Sequence, residues 1–188
     1  RNMLLAILAG LTWSKVTVAK PAVVPPIWNG KLMYESMLKD GTGFINPGKP
    51  GRAKAYVFFD TQCSDCIRLL DRLYPLLGQV EVMFFPIAFM NPHSDPQASE
   101  ILIAKDPFAK LQEHHNRFKD PTFRGISYDI ARLPMDVRQK VWVNTKLHRR
   151  CGCRAVPYGV FKNSKGEYLP FDENLNTDEL ALLFELKG

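Results

Sequence analysis

Residues 55–77 read AYVFFDTQCSDCIRLLDRLYPLL. The apolar run Tyr56, Val57, Phe58, Phe59 predicts a buried strand, and Asp60 to Gln62 a short polar turn. Cys63-Ser64-Asp65-Cys66 then opens a segment in which Ile67, Leu70, Leu73, Tyr74 and Leu77 recur at helical spacing. A CxxC at the handover from strand to helix puts its first sulfur among unpaired N–H groups, at the positive end of the helix dipole. Both favour a thiolate. Cys66 lies one turn along the same face, within reach of a disulfide. A purely structural disulfide is the blander reading, and the strand-turn-helix placement argues against it. Cys63 is therefore expected to be an exposed nucleophile and Cys66 the resolving thiol. Pro75 predicts a kink in the helix.

The rest of the composition bounds the partners. At 188 residues the chain is one domain, or one domain with an insertion, and long enough for a sizeable core. Apolar and charged fractions of 46% and 23% are those of an ordinary globular protein. The formal charge of +6 is modest, and its basic residues are scattered, with Lys49, Arg52 and Lys54 in one loop and Lys146, Arg149 and Arg150 in another. A solvated basic surface is expected, and no nucleic-acid partner. The four cysteines fall as CxxC and CxC, an even count that suits an oxidising compartment.

Residues 1–19 have the layout of a secretory signal peptide truncated at its front: a basic start, an apolar run from Met3 to Trp13, and small residues before a cut after Ala19. Residues 20–52 read as an extended Pro- and Val-rich segment, a linker helix over Ile27–Lys39 and a loop over Asp40–Gly51. A domain over 53–188 follows, with a helical insertion at about 97–150. Its second strand is expected at Val80–Phe89, a turn at Asn91–Pro96 and helices over Gln97–Phe118, bent at Asp106-Pro107. A loop over Lys119–Tyr128 and a helix over Pro134–Arg150 come next, with Gly152 just past the helix end. A strand over Ala155–Phe161 turns at Asn163–Gly166 into Glu167–Phe171, and Thr177 caps a final helix to Leu186.

This order, with Val156-Pro157 entering a hairpin before a last helix, resembles the thioredoxin fold: an α/β protein with a central mixed sheet flanked by helices. AYVFFDTQCSDC is similar to the active-site stretch of the periplasmic DsbC/DsbG thiol-disulfide isomerases. Ile103 to Ala109 is similar to the Ala-x-Asp-Pro-x-Ala element of their insertion, and Asn144-Thr145-Lys146-Leu147 through Val156-Pro157 to their final segment. The resemblance covers roughly residues 54–186. Those isomerases carry an N-terminal dimerisation domain, whereas about thirty residues separate Ala19 from the first strand here, so a monomer is expected. Val156 also stands where the isomerases usually carry Thr, which looks more like the DsbA-type oxidases.

The resemblance implies a periplasmic thiol-disulfide oxidoreductase without a cofactor. It would act on protein thiols and disulfides, and a membrane or periplasmic redox partner would recycle it. Pro157 would be cis beside the sulfurs, with the Val156 backbone free to bind an extended substrate. Ser64 and Asp65 would modulate the site; the Asp65 carboxylate opposes a Cys63 thiolate, while the dipole alone would favour that acid in a first turn. Two readings from other classes stay open: a thioredoxin-fold chaperone with little turnover, and a metal-binding module using the four cysteines. His93, His114, His115 and His148 are expected at the surface, and Phe84, Phe85, Phe89 and Phe118 in the core. Cys151 and Cys153 are either small buried hydrophobes or a second redox pair, and a labile disulfide between them is expected in the oxidised protein.

Overall fold

A computed structural model of the chain describes residues 22–47 and 53–186. The expected signal peptide at 1–19 lies outside the described residues. The elements run α1 (Gly30–Asp40), β1 (Phe44–Ile45), β2 (Ala53–Asp60), α2 (Ser64–Leu73), β3 (Val80–Ile87), α3 (Ser94–Ile103), α4 (Pro107–Asn116), α5 (Met135–Arg150), β4 (Tyr158–Lys162), β5 (Tyr168–Phe171) and α6 (Thr177–Leu183). One mixed sheet has the order β1-β3-β2-β4-β5. Among the described strands only β2 and β3 pair in parallel, which is why a helical crossover joins them.

The central strand is buried on both faces, as its unbroken apolar run requires. Tyr56 and Phe58 point to the side of α1 and α5, where Tyr56 stacks on Tyr34 and Phe58 meets the His148 ring edge-on. Val57 and Phe59 point to the side of α2 and α4, against Leu70, Leu73 and Leu111. On that side Phe161 and Phe171 also meet Phe184 beyond α6. Met33 and Met37 are fully buried, so α1 belongs to the core of the domain.

Several boundaries differ from expectation for local reasons. The loop at 40–51 contains the two-residue strand β1, an antiparallel edge on β3. Pro75 ends α2 in a short 3-10 turn over Tyr74–Leu76. The insertion starts early, because Ser94 already opens α3, and it breaks at Asp106-Pro107, where Asp106 caps α4. Residues 155–157 form a loop, and β4 starts at Tyr158. Asn176, not Thr177, caps the last helix: its side chain accepts from Glu179 N–H while Glu179 bonds back, a capping box that Thr177 stands one residue too late to form.

Candidate active site

Cys63 is the N-cap of α2, and its Sγ accepts the Cys66 backbone N–H at 3.3 Å. The bond from the Cys66 side chain holds the Cys63 thiol below its ordinary pKa; burial opposes this, and the backbone N–H groups of Cys66 and Asp65 reinforce it. The Asp65 charge also opposes it, but ranks last among these causes, and that carboxylate is paired with Arg68. Burial pushes the Cys66 thiol well up, with the bond and charge of Cys63 adding to it. The two sulfurs are therefore unequal in acidity. The expected exposure of Cys63 is corrected. It is only 4% exposed, because the loop before β4 lies across the helix start and its Sγ donates to the Val156 carbonyl at 3.3 Å. The Val156–Pro157 peptide is cis.

The turn that carries Cys63 is fastened by residues that sequence reasoning passed over. Asp60, 1% exposed, receives Gln62 N–H at 2.8 Å and the Ser94 hydroxyl at 2.7 Å on Oδ1. Its Oδ2 receives Phe89 N–H at 2.6 Å and Met90 N–H at 2.9 Å. Gln62 donates to Gln97 at 2.6 Å, and Gln97 donates in turn to the carbonyls of Arg124 and Ile126. The signal available for Asp60 was a carboxylate closing an apolar strand run, where a buried charge needs several donors.

Two of the four histidines are likewise internal. His114 is fully buried; its Nε2–H donates to the Thr61 carbonyl at 2.8 Å and its Nδ1 accepts Ile126 N–H at 3.3 Å. His148 is fully buried too, with Nε2–H donating to the Ala155 carbonyl at 2.9 Å and Nδ1 unpartnered among the described residues. Burial holds both imidazoles below their ordinary pKa. They lie inside because their helices turn those positions to the core: Leu111 and Phe118 flank His114, and Val141 precedes His148 by two turns. His93 and His115 stay outside, on Tyr128 and Asp71. Phe84, Phe85 and Phe118 are core, but Phe89 is 42% exposed, since its backbone is held at the surface end of β3 by Asp60.

Ser64 is exposed and lines a cleft of about 640 Å³ with Ile67, Arg68, Phe118, Phe123 and Arg124, beside the start of α2. Cys151 and Cys153 are free thiols, as are Cys63 and Cys66. They flank Gly152, whose φ of +83° ends α5, and are buried against α1: Cys151 on Ser36, Cys153 on Met33 at 3.7 Å. Burial pushes both thiols up. Among the described residues no three His, Cys, Asp or Glu side chains gather as a metal site would require.

A CxxC capping the helix after a central strand, faced by a cis-proline loop on a five-stranded mixed sheet, is a thioredoxin-like fold. In sequence the chain is similar to a DsbG protein. It is 26% identical over 137 residues to the thiol:disulfide interchange protein DsbG of Pseudomonas aeruginosa, a match covering 70% of this chain and 52% of that protein. The chain thus matches about half the length of that curated relative. Solved structures share the fold. A periplasmic thioredoxin-like protein from Salmonella enterica serovar Typhimurium superposes with a TM-score of 0.63 at 16% identity, covering 82% of this chain and 94% of that one. The catalytic domain of Proteus mirabilis ScsC gives 0.60 at 19%, covering 83% and 96%. Helicobacter pylori DsbG gives 0.52 at 19%, covering 69% and 59%. No family model matches the chain.

Proposed function

We propose that the chain exchanges disulfides with protein substrates through Cys63 and Cys66, in an exported compartment such as the periplasm. The observation that carries this is the inequality of the two sulfurs: Cys63 is stabilised toward thiolate at a helix N-cap, and Cys66 is buried and held protonated one turn inside. In the reductive direction the Cys63 thiolate attacks a substrate disulfide. A Cys63–substrate bond forms, and the second substrate sulfur leaves as a thiolate. Cys66 then loses its proton and attacks the Cys63 sulfur; the substrate's remaining thiol departs and Cys63–Cys66 is oxidised. Run backwards, the same steps oxidise a substrate dithiol. An extended substrate would reach Cys63 past the Val156 carbonyl, with Val156 and Pro157 as its backbone contacts and the cleft beside Ser64 taking its side chains. A membrane or periplasmic redox protein would restore the working oxidation state. Among the described residues no helix is long and apolar enough to cross a membrane.

A thioredoxin-fold binding module with little turnover is the second reading, favoured by the 4% exposure of Cys63. Insulin reduction and refolding of scrambled ribonuclease discriminate the two. The exchange reading expects turnover that Cys63→Ser abolishes; a rate equal to that of Cys63→Ser refutes it. A reduction potential against a glutathione series then sets the direction, on a scale of about −120 mV for strong oxidants to about −270 mV for reductants of this fold.

A further inference from the structure

We propose that His148 is a positioning residue of the dithiol site: by holding the Ala155 carbonyl it keeps the next carbonyl, that of Val156, on the Cys63 sulfur and so restrains the acidity of that thiol. The geometry runs through three contacts. His148 Nε2–H donates to Ala155 O at 2.9 Å, Ala155 is bonded to Val156, and Val156 O takes the Cys63 thiol at 3.3 Å. The donor cannot drift. Its ring is wedged edge-on to Phe58 of β2 and tilted on Phe89, and α5 is pinned one turn earlier. There Thr145 Oγ1 receives Ala88 N–H at 2.9 Å, and Asn144 donates to the carbonyls of Thr42 and Pro86 at 2.8 and 2.9 Å. Without such a brace the exposed Arg154-Ala155 corner would be free to carry Val156 outward.

The sign of the effect follows from charge. A carbonyl oxygen accepts from the neutral thiol but turns its negative end on a thiolate, so its presence favours the protonated form. The Cys66 thiol and the N–H groups of Cys66 and Asp65 favour the charged form, and the Val156 carbonyl works against them. The groups set against Cys63 are Cys66 and Asp65 from α2 and Val156 from the loop. The charged group beside His148 is Arg149 on its own helix; β2 and the segment after β3 present Phe58 and Phe89, which do not titrate. Since the Ala155 carbonyl can only accept, Nε2 must carry the hydrogen, and the bare Nδ1 lies where a proton would find no acceptor.

The inference rests on Cys63 being the reactive thiol, yet its test does not need turnover. The pH midpoint of Cys63 alkylation by iodoacetamide, read by mass spectrometry of the Cys63 peptide, reports acidity whether or not insulin is reduced. His148→Phe, which keeps the apolar contacts and loses the donor, is expected to move that midpoint to lower pH by about half a unit, the scale of one hydrogen bond. His148→Gln, which restores an N–H donor, should return it to within about 0.2 unit of the parent. An unmoved midpoint in His148→Phe, or an equal shift in both variants, overturns the proposal. If His148→Phe does not fold, nitrogen NMR of the unaltered chain decides. A neutral Nε2–H imidazole at pH 6.5, the ordinary histidine pKa, is expected, and an Nδ1–H tautomer or half protonation there overturns it.

Discussion

Replacing Asp60 by Asn changes one atom's chemistry and should cost a large share of the fold's stability. The carboxylate receives two hydrogen bonds on each oxygen, and three of the four donors are backbone N–H groups. An amide of the same shape offers one oxygen and one NH₂. If the oxygen stays with Phe89 and Met90, the NH₂ is driven against Gln62 N–H; the reverse flip opposes two N–H groups. The Ser94 hydroxyl can rotate to accept in the first arrangement, which is therefore preferred. One buried N–H is still orphaned, at about 1–3 kcal/mol, and the bonds that remain lose the charge that strengthened them. The sum is about 2–4 kcal/mol. With a urea slope near 2 kcal/mol/M, the unfolding midpoint should fall by about 1–2 M at unchanged slope. A midpoint within about 0.3 M of the parent would refute the reasoning. Because the Asp60 charge helps keep Cys66 protonated, the same variant should also let Cys66 ionise at lower pH.

In the reduced protein, alkylation near neutral pH should label Cys63 much faster than Cys66, and Cys66→Ser should accumulate mixed disulfides; equal labelling rates would contradict the site. Both buried histidines are held neutral in the fold and protonate near pH 6.5 once unfolded, so the unfolded chain binds the extra protons. Stability should accordingly be complete above pH 6.5 and fall below it by up to about 1.4 kcal/mol per unit for each histidine, seen as a urea midpoint lower at pH 5.5 than at 7.5. Gly125→Ala places a Cβ about 2.1 Å from the His114 ring at a φ of +83°, and should cost about 2–4 kcal/mol by thermal unfolding. Gly78→Ala, with open space around it, should stay within about 0.5 kcal/mol. Mass spectrometry of a non-reduced digest of the oxidised protein should find a Cys151–Cys153 cross-link that is lost at mild reductant; free thiols at both positions would dismiss the second pair.

The strand, the CxxC turn and α2 were legible because three local signals coincide there: an apolar run, a polar turn and a helical repeat. Helix ends were readable where a cap or proline enforces them, as at Asp106-Pro107 and Gly152, and misplaced where two candidates adjoin, as at Asn176-Thr177. What stayed hidden is what depends on distant residues. The two residues of β1 carry no pattern, and only their pairing to β3 makes them a strand. The buried histidines do sit on the apolar stripes of their helices, so position marked them for the interior while polarity suggested the surface. Their carbonyl partners, Thr61 and Ala155, come from other elements and leave no trace in spacing. The exposure of Cys63 failed likewise: the capping role is local, but the loop that covers it arrives 93 residues later.

The way Asp60, Thr61 and Gln62 are tied has a consequence for modularity. Each reaches into the helical insertion: Asp60 to Ser94, Thr61 to His114, and Gln62 to Gln97 and the Arg124 carbonyl. Excising the insertion to make a minimal redox scaffold would strand those groups around the very turn that carries Cys63. Grafting the CxxC alone onto another thioredoxin frame would transplant a turn without its scaffolding. The exposed outer positions of the insertion, such as Glu113 and Asn116, are by contrast open to recoding. Here the added helices and the CxxC turn form one unit, exchangeable together and not apart.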